Sequence, residues 1–379
     1  MAVSTEAATQ AASAPIRVSV IGASGYGGGE LLRLLAAHPY VEIVHLAAGS
    51  NAGQPLGAVF PSLAHGASSV LADRVLVEPD PRKIAADSDA VFLALPHGLS
   101  LELVPQLLYG GDDLESHAVK VVDLGGDFRL KNTETFRTWY GLDHDAPEAL
   151  AEAVYGLPEI YRERIEASRL VANPGCYPTA SILAMLPLVE AGWVSGLALV
   201  DAKSGVSGAG RQSKAAFSFS EVNENLRPYN ALGHRHQPEI EAVLGDAAGR
   251  SASGNGVPTV RFVPHLVPMN RGILATCYLH LREKADASTE AVQALYRERY
   301  ASEPFVRFLE GDALPATKHV AGSNGCEVAV RVDPSEGLVV AMAAIDNLGK
   351  GAASAAIANF NLQWGFDEAL GIEGPPLFP

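Results

Sequence analysis

The residue in this chain best placed to do covalent chemistry is Cys176. It lies in Asn173-Pro174-Gly175-Cys176-Tyr177-Pro178-Thr179, a turn that leads into the apolar run Ala180 to Val189, which reads as a helix. At a helix N-terminus, unpaired backbone N–H groups and the helix dipole favour a thiolate over a thiol, so a cysteine there can serve as a nucleophile. The competing reading is a small buried hydrophobe, the ordinary fate of a free cysteine.

A second segment decides between these readings. The apolar strand Val18-Ser19-Val20-Ile21 runs into Gly22-Ala23-Ser24-Gly25-Tyr26-Gly27-Gly28-Gly29-Glu30 and then into the helical pattern Leu31 to Leu35. Glycines at 22, 25 and 28 let the backbone turn sharply and approach a pyrophosphate, with a helix N-terminus aimed at it. A following strand, Val41 to Ala47, completes a βαβ unit. A dinucleotide is therefore the expected ligand, held by Gly22, Ser24, Gly25, Tyr26, Gly27 and Gly28. The second strand ends in Ala47-Ala48-Gly49-Ser50-Asn51-Ala52-Gly53-Gln54, without the Asp or Glu that holds the ribose 2′-hydroxyl of NAD. That absence favours NADPH/NADP+, with Ser50 as a hydroxyl donor, although no arginine stands in the segment.

Such chemistry needs a scaffold, and the composition supplies one. The 379 residues are 48% hydrophobic and 19% charged, which suits a soluble protein of two domains. Cys176, Cys277 and Cys326 form no CxxC pair and no His-rich cluster, so neither a disulfide framework nor a zinc site is expected, and a cytoplasmic location fits. Met1 to Pro15 has no basic start and no apolar core, and reads as a flexible tail, not a signal peptide. No apolar run is long enough to span a bilayer. A formal charge of −15 argues against nucleic acid but not against a small anion. Arg129, Lys203, Arg211, Lys214, Arg235 and Arg271 stand in turn-rich segments where they can build an anion site, although any one of them alone is ordinarily a solvated surface charge.

Strand-like runs at Val75 to Val77, Ala90 to Ala94 and Val119 to Leu124 alternate with helical stretches at Lys83 to Ala86 and Leu101 to Leu108, which predicts a mostly parallel sheet. Leu95-Pro96-His97-Gly98 and Gly125-Gly126-Asp127-Phe128-Arg129 fall at carboxyl ends of strands, where open α/β sheets bind ligands. His97 reads equally as a ligand contact and as a turn or capping residue. Beyond Cys176 the strands Leu197 to Lys203, Pro258 to His265, Gly272 to Leu281, Cys326 to Val332 and Leu338 to Ile345 outnumber the helices Gln237 to Leu244, Thr289 to Tyr300 and Gly351 to Trp364. The expected fold is thus an α/β Rossmann-type dinucleotide-binding domain followed by an α+β domain with a largely antiparallel sheet. The expected bounds are a tail at 1–15, a first domain at 16–172 completed by 348–379, and a catalytic and oligomerisation domain at 173–347. The apolar final helix must be buried.

Lys203-Ser204-Gly205-Val206-Ser207-Gly208-Ala209-Gly210-Arg211 has the composition of an anion cradle and, equally, of a plain surface loop. In His234-Arg235-His236 no third ligand stands at metal spacing, so proton transfer is favoured over a metal site.

Together, Gly-Ala-Ser-Gly-Tyr at 22–26, Leu-Pro-His-Gly at 95–98, Asp-Phe-Arg at 127–129, Asn-Pro-Gly-Cys-Tyr-Pro-Thr at 173–179, His-Arg-His-Gln-Pro-Glu-Ile at 234–240 and Ile-Asp-Asn-Leu-Gly-Lys-Gly at 345–351 resemble the N-acetyl-gamma-glutamyl-phosphate reductase family, relatives of aspartate-semialdehyde dehydrogenase. The resemblance runs from about Arg17 to the C-terminus. It implies NADPH-dependent reduction of an acyl phosphate to N-acetylglutamate 5-semialdehyde in arginine synthesis, through a thioester on Cys176. It also implies acid–base work by His234, chosen over His236 for its position nearer the turn. Substrate binding falls to Arg129, Lys203, Ser204, Arg211, Lys214, Arg235 and His236, and cofactor contact to Pro96, His97 and Asn347, with Asn347 at the nicotinamide carboxamide. The implied partners are a small acyl phosphate and further copies of the chain, as a homodimer or homotetramer. The alternatives are a carrier-linked aminoadipate phosphate reductase and a non-catalytic NADP-binding sensor.

Overall fold

The computed structural model describes residues 14–110, 119–211, 214–250, 257–282 and 288–378. Most of the expected tail, 1–13, lies outside them. The chain divides into two compact units. One contains residues up to Arg129 with His144–Asn173 and Ala356–Glu373; the other contains Leu130–Asp143, Pro174–Ala355 and the residues from Gly374 onward.

The first unit is built from β1 (Ile16–Ile21), α1 (Tyr26–Leu35), β2 (Val41–Ala47), β3 (Ala90–Leu93), α2 (Leu99–Tyr109), β4 (Lys120–Asp123), β5 (Val154–Tyr155) and β6 (Leu170–Ala172). Its six-stranded sheet has the order β2-β1-β3-β4-β6-β5, and every pairing is parallel. Val18, Val20, Val91, Phe92 and Leu93 are all buried, the continuous apolar reading of a strand covered on both faces. Parallel pairing brings the carboxyl ends of β1, β3, β4 and β6 to one edge, with the loops that follow them. Val75–Val77, expected as a strand, contributes only isolated bridges, Val77 to Ala47 and Val75 to Pro55.

The glycine segment is shorter as a loop than its sequence suggests. Helix α1 starts at Tyr26 with Gly25 as its N-cap, so Tyr26, Gly27 and Gly28 occupy the first helical turn. Tertiary packing overrides the poor helix propensity of glycine here. A Cβ on Gly22, whose φ is +90°, would stand 2.2 Å from Ala94 O, and one on Gly28 would stand 2.3 Å from Gly22 O.

The second unit contains α3 (Cys176–Glu190), β7 (Val194–Gly205), β8 (Arg227–Pro228), α4 (His236–Arg250), β9 (Thr259–Val267), β10 (Ile273–Leu281), α5 (Thr289–Tyr300), β11 (Val306–Phe308), β12 (Cys326–Asp333) and β13 (Leu338–Ile345). The seven-stranded sheet runs β11-β12-β13-β10-β7-β9-β8. It is largely antiparallel, as expected, with β7–β9 and β11–β12 as parallel pairs.

Helix α3 begins at Cys176 itself, four residues before the expected start at Ala180. Pro178 permits this, because N–H groups of a first turn have no intrahelical acceptor to lose. From Tyr177 to Val189 every residue is buried. Pro187 lacks the N–H that would bond Leu183 O, and the Tyr300 hydroxyl donates to that carbonyl instead. One turn away, Tyr296 Oη donates to Ala184 O at 2.6 Å.

The expected last helix, Gly351 to Trp364, divides into a π-helical turn at Gly349–Ala353 and α6 (Ser354–Gln363). In the first unit, Asn359 Nδ2 on α6 donates to Gly156 O at 2.9 Å and to Asn173 Oδ1 at 3.0 Å.

Candidate active site

Cys176 occupies the first position of α3, with Gly175 as the extended N-cap. The Gly175 N–H donates to Glu239 Oε1 at 2.8 Å, and Glu239 is wholly buried in the first turn of α4. The start of α3 is thereby tied to the segment that carries both histidines. From another side the π-helical turn presses close: a Cβ on Gly351 would stand 2.8 Å from Cys176 Cβ. Such turns recur at functional sites because the widened backbone re-aims what it touches.

Tyr177 and Tyr229 link the cysteine to the histidines. Tyr177 Oη donates to His265 O at 3.0 Å and accepts from Tyr229 Oη at 3.2 Å. Burial pushes both phenols up, Tyr229 to about 12, and the charge of Cys176 acts in the same direction on both. The His234 ring lies 6.0 Å from Tyr177, 5.5 Å from Tyr229 and 4.6 Å from His236. Cys176 and the His-Arg-His segment, 58 positions apart at His234 by residue number (234 − 176), therefore share neighbours.

His234 Nδ1 accepts the His236 N–H at 3.2 Å, which assigns the proton of the neutral ring to Nε2. Burial, with Arg235 beside it, lowers the His234 pKa to about 4. The ring is therefore neutral near pH 7 and offers a donor, whereas a proton carrier that also polarises Cys176 would need the imidazolium. The positive field at Cys176 comes from the α3 N-terminus.

The expected anion-binding residues separate. Lys203 and Ser204 are neighbours on β7, so they point to opposite faces. Ser204 is buried and donates to Gly205 O at 3.0 Å, whereas Lys203 Nζ is ion-paired with Asp201 at 2.6 Å on the outer face. Arg211 and Lys214 are exposed. Arg129 is buried in the first unit, where Nε donates to Asn173 O and Nη2 to Leu124 O, both at 2.8 Å. Asn347 gives Oδ1 to the Gly272 N–H at 2.7 Å and Nδ2 to Ser207 Oγ at 2.9 Å, which makes it a brace between loops of the second unit.

In the first unit Gly22, Ser24 and Gly25 form the turn before α1, Ser50 is exposed beyond β2, and Pro96 and His97 follow β3. The turn packed tightly at Gly22 and Gly28, and a helix N-terminus with no side-chain cap at Gly25, fit a pyrophosphate. A 520 Å³ cavity lies elsewhere, lined by Lys120, Glu152, Val154, Arg164 and Arg169 at the amino ends of β4 to β6, and there Arg169 is already paired with Glu152 at 3.0 Å. Among the described residues no group of three or more His, Cys, Asp or Glu could hold a metal ion. Tyr177, Tyr229, Glu239 and Gly351 were not among the expected site residues. Glu239 and Gly351 stand inside motifs quoted above, but sequence spacing carries no sign of which neighbour each one meets.

A parallel-sheet unit with a glycine-turn cradle, followed by a sheet unit with a cysteine at the head of its central helix, defines a semialdehyde-dehydrogenase type of protein. Residues 17–168 match the family model described as semialdehyde dehydrogenase, NAD binding domain, and residues 176–347 match semialdehyde dehydrogenase, dimerisation domain. An aspartate semialdehyde dehydrogenase from Candida albicans, solved with NADP, shares the fold at a TM-score of 0.67 and 18% identity, covering 93% of this chain and 99% of that one. The N-acetyl-gamma-glutamyl-phosphate reductase of Symbiobacterium thermophilum is 49% identical over 96% of this chain and 99% of its own length. That of Heliobacterium modesticaldum is 45% identical over 96% and 100%. The chain belongs to the N-acetyl-gamma-glutamyl-phosphate reductase family.

Proposed function

We infer that the protein reduces N-acetyl-L-glutamyl 5-phosphate to N-acetyl-L-glutamate 5-semialdehyde and phosphate, with NADPH as the reductant. The observation that carries this reading is Cys176 at the first position of a buried helix, sharing Tyr177 and Tyr229 as neighbours with His234, in a chain of this family. The Cys176 thiolate attacks the acyl carbon, the carbon–oxygen bond to phosphate breaks, and phosphate leaves a thioester. NADPH supplies the hydride that reduces it, and Gly22, Ser24, Gly25, Tyr26, Gly27, Gly28, Ser50, Pro96 and His97 are the residues that would hold the cofactor. His234 Nε2–H stabilises the oxyanion at each stage, and Arg235 adds positive charge. When the thiohemiacetal collapses, the carbon–sulfur bond breaks and the thiolate is restored. The test is NADP+ reduction with the acetylated semialdehyde. Turnover that requires phosphate and fails with aspartate semialdehyde supports the reading, and turnover without phosphate overturns it.

His234→Asn removes a neutral donor, so turnover should fall on the order of 10²-fold by a constant factor between pH 6 and 8. A ratio that changes through this window in the pH–rate profile would return His234 to a titrating role. Stability has a defined sign as well. The folded pKa of about 4 lies below the ordinary 6.5, so the unfolded chain takes up the proton first as pH falls. The native protein should lose stability relative to His234→Asn from about pH 6.5 towards 4, and not above that window.

The outer face of the second sheet supports self-association. Leu199 and Tyr278 are cross-strand partners on it, 46% and 38% exposed, and Leu197 nearby is 44% exposed. A second copy covering this face would bury them. Leu199→Asp should convert the dimer to monomer in light scattering, and an unchanged mass would move the interface elsewhere. Three cysteines outside any disulfide suit a cytoplasmic setting, and no helix among the described residues is long and apolar enough to cross a membrane.

A further inference from the structure

The Asp-Phe-Arg segment has a role that substrate binding does not account for. Helix α2 starts behind Gly98, whose φ of +91° and missing side chain leave the helix without a cap of its own. Asp127, from the loop after β4, supplies the acceptor: Oδ1 and Oδ2 lie 2.9 and 2.8 Å from the Gly98 N, and Oδ2 lies 3.2 Å from the Ser100 N. The exchange is reciprocal, because the Gly126 N–H donates to His97 Nδ1 at 3.0 Å. Carboxylate and imidazole thus lock two loops at the carboxyl edge of the parallel sheet, with the proton of a neutral His97 assigned to Nε2.

The charge of this clamp is supported on several sides. Asp127 is itself buried, and its rise is opposed by the N–H groups of Gly98 and Ser100 and by Arg129 and His144. Asp123, the second acid, is wholly buried, accepts from Ser100 Oγ at 2.8 Å, and is pushed up to about 7 by burial and by the Asp127 charge. An anionic acceptor at a helix N-terminus makes stronger hydrogen bonds than a neutral one and suits the helix dipole.

We propose that Asp127 is a positioning residue for the cofactor, fixing the Pro96–Gly98 turn in its binding conformation before NADPH arrives. The proposal rests on the NADPH-dependent reading above. Asp127→Asn keeps the size but turns an N–H group or a weaker oxygen toward Gly98 and Ser100. NADPH titration by nucleotide fluorescence should show a Kd raised about tenfold or more, and KM for NADPH should rise by a similar factor. Release of phosphate from acyl phosphate in single turnover without NADPH should change less than about twofold, because that step needs only the second unit. Weaker NADPH binding together with an equal loss of phosphate release would mark a general loss of structure and overturn the proposal. Ser100→Ala keeps the backbone N–H that Asp127 accepts and removes only the Asp123 bond, so its Kd should stay within about threefold. Equal NADPH affinity in Asp127→Asn and wild type overturns the proposal alone, as does a Ser100→Ala loss as large as that of Asp127→Asn. Wild-type protein that binds no NADPH overturns the functional reading and the proposal together.

Discussion

Cys176→Ser should abolish phosphate-dependent NADP+ reduction, with a loss of at least about 10³-fold, while leaving NADPH affinity within about twofold. The serine hydroxyl fits the same space, so the change tests chemistry, not packing. A helix N-terminus such as that of α3 favours a thiolate over a thiol, whereas a hydroxyl has a far higher pKa and stays protonated. Sulfur is also the better leaving group when the thiohemiacetal collapses. Substantial turnover in the serine variant would place the covalent step on another residue. The same variant should release no burst of phosphate from the acyl phosphate in the absence of NADPH, which separates a lost acylation step from a lost reduction step.

Gly351→Ala should lower both stability and turnover, because the new methyl group is driven against Cys176. Its Cβ would meet Cys176 Cβ at 2.8 Å, Asp346 O at 3.2 Å and Cys176 Cα at 3.3 Å, all in parts of the fold with little freedom to move. Asp346 is wholly buried, accepts the N–H groups of Gly322, Leu348 and Gly349, and is ion-paired with Arg271 at 3.3 Å. The strain must therefore be shared by the start of α3 and the π-helical turn. Overpacking of this kind costs about 1–3 kcal/mol. A nucleophile displaced by a fraction of an ångström to an ångström loses roughly 10- to 100-fold in turnover. Both a lower Tm and a lower kcat are expected. Gly245→Ala, on α4 with nothing within 4 Å of the new Cβ, is the matched control and should hold or slightly raise stability. A Gly351→Ala enzyme with full kcat would show that the turn yields without moving Cys176.

Much of the first unit was legible because its signals are local. A strand, a glycine turn and a helix in immediate succession specify a βαβ unit, and Gly22 and Gly28 are required by backbone contacts that no other residue tolerates. The second sheet was legible from strand-rich segments, although its two parallel pairs were not, since pairing direction is set by distant partners. The start of α3 was placed late because the apolar run begins only at Ala180, and the backbone alone shows that Cys176 to Thr179, with Pro178 harmless there, already form the first helical turn.

The amino-acid sequence by itself determined the class of fold, and it singled out Cys176 as the candidate nucleophile and 234–236 as the candidate acid–base segment, since each depends on residue types at short spacing. The tertiary structure alone decided what each polar group is committed to. Arg129 reads as an anion ligand but donates to the backbone at Leu124 and Asn173, and Lys203 reads as an anion ligand of the same loop as Ser204 but is ion-paired with Asp201. His234 reads as a proton carrier, yet its Nδ1 is bonded to the His236 N–H and its burial keeps it neutral. Buried hydrogen-bonding groups must find partners, and those partners are set by which loops the sheets bring together, a property of long-range packing that no local spacing records.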